Sequence, residues 1–275
     1  GDNYPAKYRG AFFSKSLILS VGIAALSGFV GSSILEKDIE YYPLIFTFLG
    51  FCAFFKALAV YGMPSKSMER SPHENPFGNM KYAWQDRSFG YVLLTWFIMG
   101  FANLWTLPLR VDYITSPQWG IEGSAIFVAM IITVIPETLR MLLIPFWAGL
   151  FDKMNFVVLR MILNLSFAAG VLLFFISSNP LIIGAGSALI GVAFAGGSIA
   201  WNLWVTKYAP PGKTGAYMSV HVSLTGIRGT LGPMIGYWTV GVIGAQNIGI
   251  LSCVMMILAT LMLIPEIKHG RRNTA

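Results

Sequence analysis

LIIGAGSALIGVAFAGGSIAWNLWV, from Leu181 to Val205, runs for 25 residues without one charged side chain. A helix needs about 20 mostly apolar residues to cross the hydrocarbon core of a bilayer. This run meets that length, and seven others resemble it: Ala11–Leu35, Tyr42–Tyr61, Phe89–Leu109, Ser124–Leu150, Phe156–Ser177, Gly215–Gly241 and Ile248–Ile264. Membrane β-strands are about 10 residues long and alternate in polarity. These runs are too long and too uniformly apolar for that. The predicted fold is an all-α membrane protein with eight transmembrane helices.

Composition agrees. Of 275 residues, 55% are hydrophobic and 11% charged, against about 25% charged in an ordinary soluble domain. A disordered chain, a nucleic-acid-binding module and a water-soluble enzyme are therefore poor readings. Cys52 and Cys253 lie in apolar runs and form neither a disulfide framework nor a metal spacing. There is no phosphate-binding Gly-rich loop ending in Lys-Ser or Lys-Thr, no His-Glu-x-x-His, and no implied cofactor.

The net charge of +7 is a matter of topology. Taken on alternate sides of eight spans, one set of loops holds Lys7, Arg9, Lys15, Lys66, Arg70, Lys81, Arg87, Lys153, Lys207, Lys213, Lys268, Arg271 and Arg272. The other holds Lys37, with Arg110 at a helix end. Basic residues concentrate in cytoplasmic loops, so the first set is predicted cytoplasmic, together with both ends of the chain. The expected location is a bacterial inner membrane.

The start repeats later. Pro5, Gly10, Ala11 and Ser14 match Pro210, Gly215, Ala216 and Ser219 at an offset of 205 residues, and Leu26 and Gly31 match Leu231 and Gly236. Both copies enter a span from the same side, so the repeat is parallel. In the second copy four spans precede the repeated segment. An equal first half would need four more spans, roughly 115 residues, ahead of the first residue. The long loop Gly62–Ser88 then divides two six-helix halves.

This layout resembles the major facilitator superfamily, a family of transporters. Three motifs carry the resemblance: Trp147-Ala-Gly149-Leu-Phe-Asp152-Lys153 is similar to the family's short Gly-x-x-x-Asp loop; Tyr208–Gly215 is similar to the loop entering the eleventh helix; and Gly229-x-x-Gly232-Pro233-x-x-Gly236 resembles a Gly-Pro helix element. The fifth-helix copy of that element, diagnostic of drug/proton antiporters, is absent: Ser27-Gly28 stands there without proline. The resemblance implies helices 5–12 of a twelve-helix plan. Residues 1–61 would be the last two helices of the N-terminal bundle, 62–88 the central cytoplasmic loop, and 89–275 the complete C-terminal bundle. It implies secondary transport of a small solute by alternating access, with H+ or Na+ as coupling ion. It also implies a gating role for Gly149, Asp152 and Lys153.

Ionisable groups inside a membrane face a cavity or a partner. Arg228 is the sharpest case. It lies thirteen residues beyond Gly215, about 20 Å along a helix, and forms one stripe with His221 and Thr225. Glu137 and Arg140, three residues apart, are expected either to pair or to couple an ion; Glu137 is also a candidate partner for Arg228. Asn103 and Arg110 on the third span, and Trp201 and Asn202 on the sixth, complete the candidate cavity face. Spans five and eight look less polar and are expected at the periphery. The arginines favour an anionic or polar solute. Two other classes stay open on the residues alone: a polytopic membrane enzyme, such as a lipid-linked sugar or acyl transferase, and an eight-span receptor or assembly protein.

Overall fold

The computed structural model describes residues 6–63, 78–210 and 212–268, and their side chains except those of 6–14, Asp152, Asn202 and Leu203. Pro5, the charged middle of the 62–88 loop, the tail from His269, and the side chains of Asp152 and Asn202 thus lie outside the described residues. Among the described residues the regular structure is helical. The long helices are α1 (Ala6–Lys37), α2 (Tyr42–Tyr61), α4 (Arg87–Thr106), α7 (Ile135–Lys153), α8 (Phe156–Phe175), α9 (Pro180–Leu203), α10 (Thr214–Ile243) and α11 (Ala245–Leu261). Shorter ones are α3 (Tyr82–Gln85), α5 (Leu109–Thr115) and α6 (Ala125–Ala129).

Seven of the resulting segments are long and apolar enough to cross a membrane. The eighth expected span forms as α10, 30 residues long. It is less apolar than the rest because it carries Ser219, His221, Ser223, Thr225, Arg228 and Thr230. The outward faces are greasy: Phe46, Phe48, Leu181, Trp238 and Val242 are all exposed. A contiguous apolar exterior of this extent suits lipid and not water. The chain is an integral, multi-pass membrane protein.

Local chemistry sets the helix starts. Asp86 accepts the backbone N–H of Phe89 ahead of α4, Asn155 that of Val157 ahead of α8, and Asn179 that of Leu181 ahead of α9. Such side chains satisfy donors that the first turn leaves unpaired. Gly244, at φ 80°, makes the sharp connection between α10 and α11, a conformation that glycine adopts without penalty.

Two spans depart from straight helices. The third, expected to end at Leu109, breaks at Leu107–Pro108 and resumes as α5 to Thr115; proline lacks the N–H that would continue the ladder. The fourth contains a π-helical turn, Met130–Val134, between α6 and α7. The Ser187 hydroxyl on α9 donates to the carbonyl of Ile131 within that turn.

Residues 87–268 pack as one unit. α8 lies against α9 and α11, α9 also against α7, and α4 against α10 and α11. α4 and α10 run parallel: Asp86 meets Tyr217, Leu104 meets Gly232, and Trp105 meets Gly236 and Thr239. A Cβ at Gly232 or Gly236 would press into Leu104 or the Trp105 carbonyl, so the small residues set the close approach. α1 packs on α6, the π turn and α7, with Gly28 against Thr133. α2 buries none of its residues.

The unit has two apolar cores. One holds Phe89, Trp96, Phe156, Trp204 and Tyr217; the other holds Met99, Tyr113, Phe174, Phe175 and Ile248. Trp96 and Met99, one turn apart on α4, belong to different cores. Both line a cavity.

Candidate functional site

α4, α7, α8, α9 and α10 line a cavity of about 330 Å³, to which α1 adds Leu17. Its walls carry three arginines, Arg140, Arg160 and Arg228, with Asn103 and Ser198. Trp96, Phe167, Phe194 and Trp201 supply aromatic surface, and Gly100 and Gly197 also line it.

Arg228 is held from two sides and is 6% exposed. Its Nη1 donates to the Trp96 carbonyl and its Nη2 to Thr225 Oγ1 at 3.2 Å. The guanidinium lies flat against α4 at Gly100, where a Cβ would overlap its Nη1 and Cζ. Arg160, 4% exposed, places its guanidinium 3.6 Å from the centroid of the Trp96 ring. Its Nη2 approaches Met99 Sδ at 3.3 Å. Arg140 is different. Its Nη1 meets both Glu137 carboxylate oxygens at 3.2 Å, and its Nε donates to Ser198 Oγ at 3.1 Å.

The expected stripe on α10 is divided by function. Arg228 reaches the cavity, and Thr225 holds Arg228. His221 does not line the cavity. It is 1% exposed, with ring centroids of Trp96, Trp201 and Trp204 at 5.3, 5.3 and 5.2 Å. Four large rings from three helices converge there, and the imidazole fills the gap behind the cavity wall.

Glu137 pairs with Arg140 and not with Arg228. Arg110 stands in the first turn of α5, directly after the break that ends α4. The break at Pro108 carries it into α5, where it is 5% exposed and its Nη2 donates to Asn103 Oδ1 at 2.8 Å. With Glu137 it lines a second, smaller cavity of about 80 Å³ beside the π turn. Asn103 stands between the two cavities and lines the larger one. Trp201 lines the larger one too. Gly149 and Lys153 belong to the last turns of α7 and not to a loop. The connection to α8 is only Met154–Asn155, because Asn155 already caps the next helix.

Sequence reasoning missed Arg160. The fifth span, α8, was expected at the periphery, yet it carries a buried guanidinium into the cavity. The available signal was a lone charge five residues into an apolar run.

Outside the spans, burial pushes the Tyr208 hydroxyl above the usual phenol range, and Glu266 and Asp86 add to the shift. The phenol stays protonated where the chain turns from α9 to α10.

Residues 120–275 match the family model described as Major Facilitator Superfamily. No curated protein and no solved structure matches the chain. The family match begins ahead of α6 and takes in every helix from there to α11, four of which line the cavity. With more than half of its length matched, the chain belongs to the major facilitator superfamily, whose members are transporters of small solutes and not enzymes.

Proposed function

We propose that this transporter carries a small anionic solute by alternating access, with the cavity between α4, α7, α8, α9 and α10 as its binding site. One observation carries the reading. Three arginines line the cavity, and one of them, Arg140, already pairs with a carboxylate, that of Glu137. Among the described residues no carboxylate lies within 4.0 Å of Arg160 or Arg228. A buried cation without a partner is costly, and an anionic solute supplies the missing charge.

In this reading residues 89–275 form one six-helix bundle and residues 1–61 the last two helices of the other, joined by the cytoplasmic loop 62–88. The bundles rock about the cavity. Gly149, Asp152 and Lys153 sit where the cytoplasmic side closes. The basic loops face the cytoplasm, in a bacterial inner membrane. Glu137 is the group suited to coupling H+ or Na+ to solute movement, because its protonation would release Arg140.

Proteoliposomes loaded with anionic, neutral or cationic solutes test this by counterflow. The expected result is exchange of anionic solutes alone, lost in Arg228→Gln. Carriage of cations unchanged by Arg228→Gln would overturn it.

A further inference from the structure

We infer that Arg160 on α8 and Arg228 on α10 form a two-guanidinium clamp for a doubly charged oxyanion group, so that the solute is a dianion and not a monoanion. The inference rests on the anion reading above and sharpens it.

Both guanidiniums are more than nine-tenths buried and line the same cavity. Both are fixed by one residue. The Trp96 ring carries Arg160, and the Trp96 carbonyl accepts from Arg228. Neither meets a carboxylate among the described residues, whereas Arg140, the third arginine of the cavity, has Glu137. Two like charges held close together in a medium of low dielectric repel strongly. A monoanion balances one of the two guanidinium charges and leaves the other buried without a counter-charge; a doubly charged group balances both.

The donors are also in surplus. A guanidinium offers five N–H donors and no acceptor. Arg228 uses two on Trp96 and Thr225, and Arg160 uses one on a weakly accepting sulfur. The forks that remain suit two-pronged binding of carboxylate or phosphate oxygens. A cavity of about 330 Å³ lies at the small end of the range for solute sites; it admits a phosphate or dicarboxylate group with space for a small body beyond it, beside the rings of Trp201, Phe167 and Phe194.

The test is thermal unfolding of the purified protein at pH 8 and matched ionic strength, with inorganic phosphate, succinate, acetate or chloride. Phosphate and succinate are expected to raise Tm saturably, and acetate and chloride to leave it unchanged. In Arg160→Gln the apparent affinity for both dianions should fall about 10- to 100-fold, and the preference for dianion over monoanion should vanish. Arg160→Lys keeps the charge but not the fork; it should retain the preference with about tenfold weaker binding, and it serves if the Gln variant does not fold. Phosphatidylglycerol, a monoanionic phosphodiester, is the lipid arm and should give no shift that phosphate reverses. Equal shifts from acetate and succinate would overturn the clamp and leave anion transport standing. So would a dianion preference surviving in Arg160→Gln, or a lipid shift as large as that of phosphate. If no anion shifts Tm and counterflow carries only neutral or cationic solutes, both readings fail.

Discussion

The guanidinium of Arg160 lies 3.6 Å from the centroid of the Trp96 indole. Trp96 in turn stacks on Trp204 at 5.5 Å, and Trp204 on Phe89 at 5.4 Å. Tyr217 joins Phe89 at 4.6 Å and stacks on Tyr82 at 4.9 Å. A continuous column of rings therefore runs from the end of the bundle where α4 and α10 begin to the wall of the cavity. Its last member presents its face to a buried cation. The column is rigid, because packed aromatic rings have few alternative rotamers that avoid overlap. The position of Arg160 is thus set by α4 as much as by its own helix.

Trp96→Leu removes the ring face and keeps the backbone carbonyl, so it separates the two arginines. Arg228 should stay in place, while Arg160 loses a contact worth about 2 kcal/mol when desolvated. Solute or phosphate affinity should fall about 30-fold. Trp96→Phe, which keeps a smaller π face, should lose less. Affinities measured by the same Tm titration check the order wild type, Phe, Leu. Equal affinity in all three would mean that the ring contact is incidental.

Gly100→Ala acts on the other arginine. The new methyl would occupy the space of Nη1 and Cζ of Arg228, so the guanidinium must leave the face of α4 and its bond to the Trp96 carbonyl. Overpacking of this kind costs about 1–3 kcal/mol, and counterflow should fall with it. Gly229→Ala on α10 is the control, since nothing lies within 4 Å of its added Cβ; helix propensity alone would make it neutral or slightly stabilising. Tm and transport measured on both variants decide the matter. A Gly100→Ala protein that transports normally would show that the guanidinium has another place to go.

Much of this bundle could be read from residue order. The spans were legible because lipid demands unbroken apolar length, and Arg228 was legible because a lone charge thirteen residues inside such a run cannot easily reach water. Arg160 was obscured by its position. Five residues from a helix start, a basic side chain ordinarily bends back toward the interface. Here the column of rings behind Trp96 gives it an inward berth instead, and that depends on three helices at once. Arg110 was legible as a residue at a helix end, but its partner was not. Pro108 signals a break, but it does not say that the chain resumes its helix and swings the side chain back onto Asn103. His221 shares a stripe with Arg228 by spacing, yet three tryptophans from elsewhere in the bundle enclose it. The π turn at Met130–Val134 left no mark in the hydrophobic pattern, because every residue around it is apolar or small.

That π turn yields its own prediction. A π segment disturbs the ladder of the helix, and the Ile131 carbonyl finds its partner in the Ser187 hydroxyl on α9. Ser187 is 3% exposed, and bulk solvent does not reach the bond. Ser187→Ala should cost about 1–3 kcal/mol, the usual penalty for a buried group left without its bond. Ser187→Thr keeps the hydroxyl and should cost less. Thermal unfolding of the two variants is the check. A Ser187→Ala protein as stable as wild type would mean that the carbonyl is satisfied along its own helix.

The register between α4 and α10 depends on a contact at their shared start. Asp86 Oδ1 accepts the Phe89 N–H at 3.0 Å as the cap of α4, and Asp86 Oδ2 accepts the Tyr217 hydroxyl of α10 at 3.2 Å. Trp96 lies ten residues beyond Asp86, and Arg228 eleven beyond Tyr217. At about 1.5 Å per residue both helices climb the same height, which is why the Trp96 carbonyl and the Arg228 guanidinium arrive level. Asp86→Ala removes both bonds and should cost about 1–2 kcal/mol for the cap together with the loss of the tyrosine contact. Tyr217→Phe removes only the second and should cost about 0.5–1.5 kcal/mol. Asp86→Asn still caps the helix and should fall between wild type and alanine. If the latch sets register, anion affinity in Asp86→Ala should drop although the residue lies more than a dozen ångströms from the cavity arginines. Tm measured with and without phosphate separates the two effects. A variant that is less stable but binds phosphate with unchanged affinity would reduce Asp86 to a helix cap.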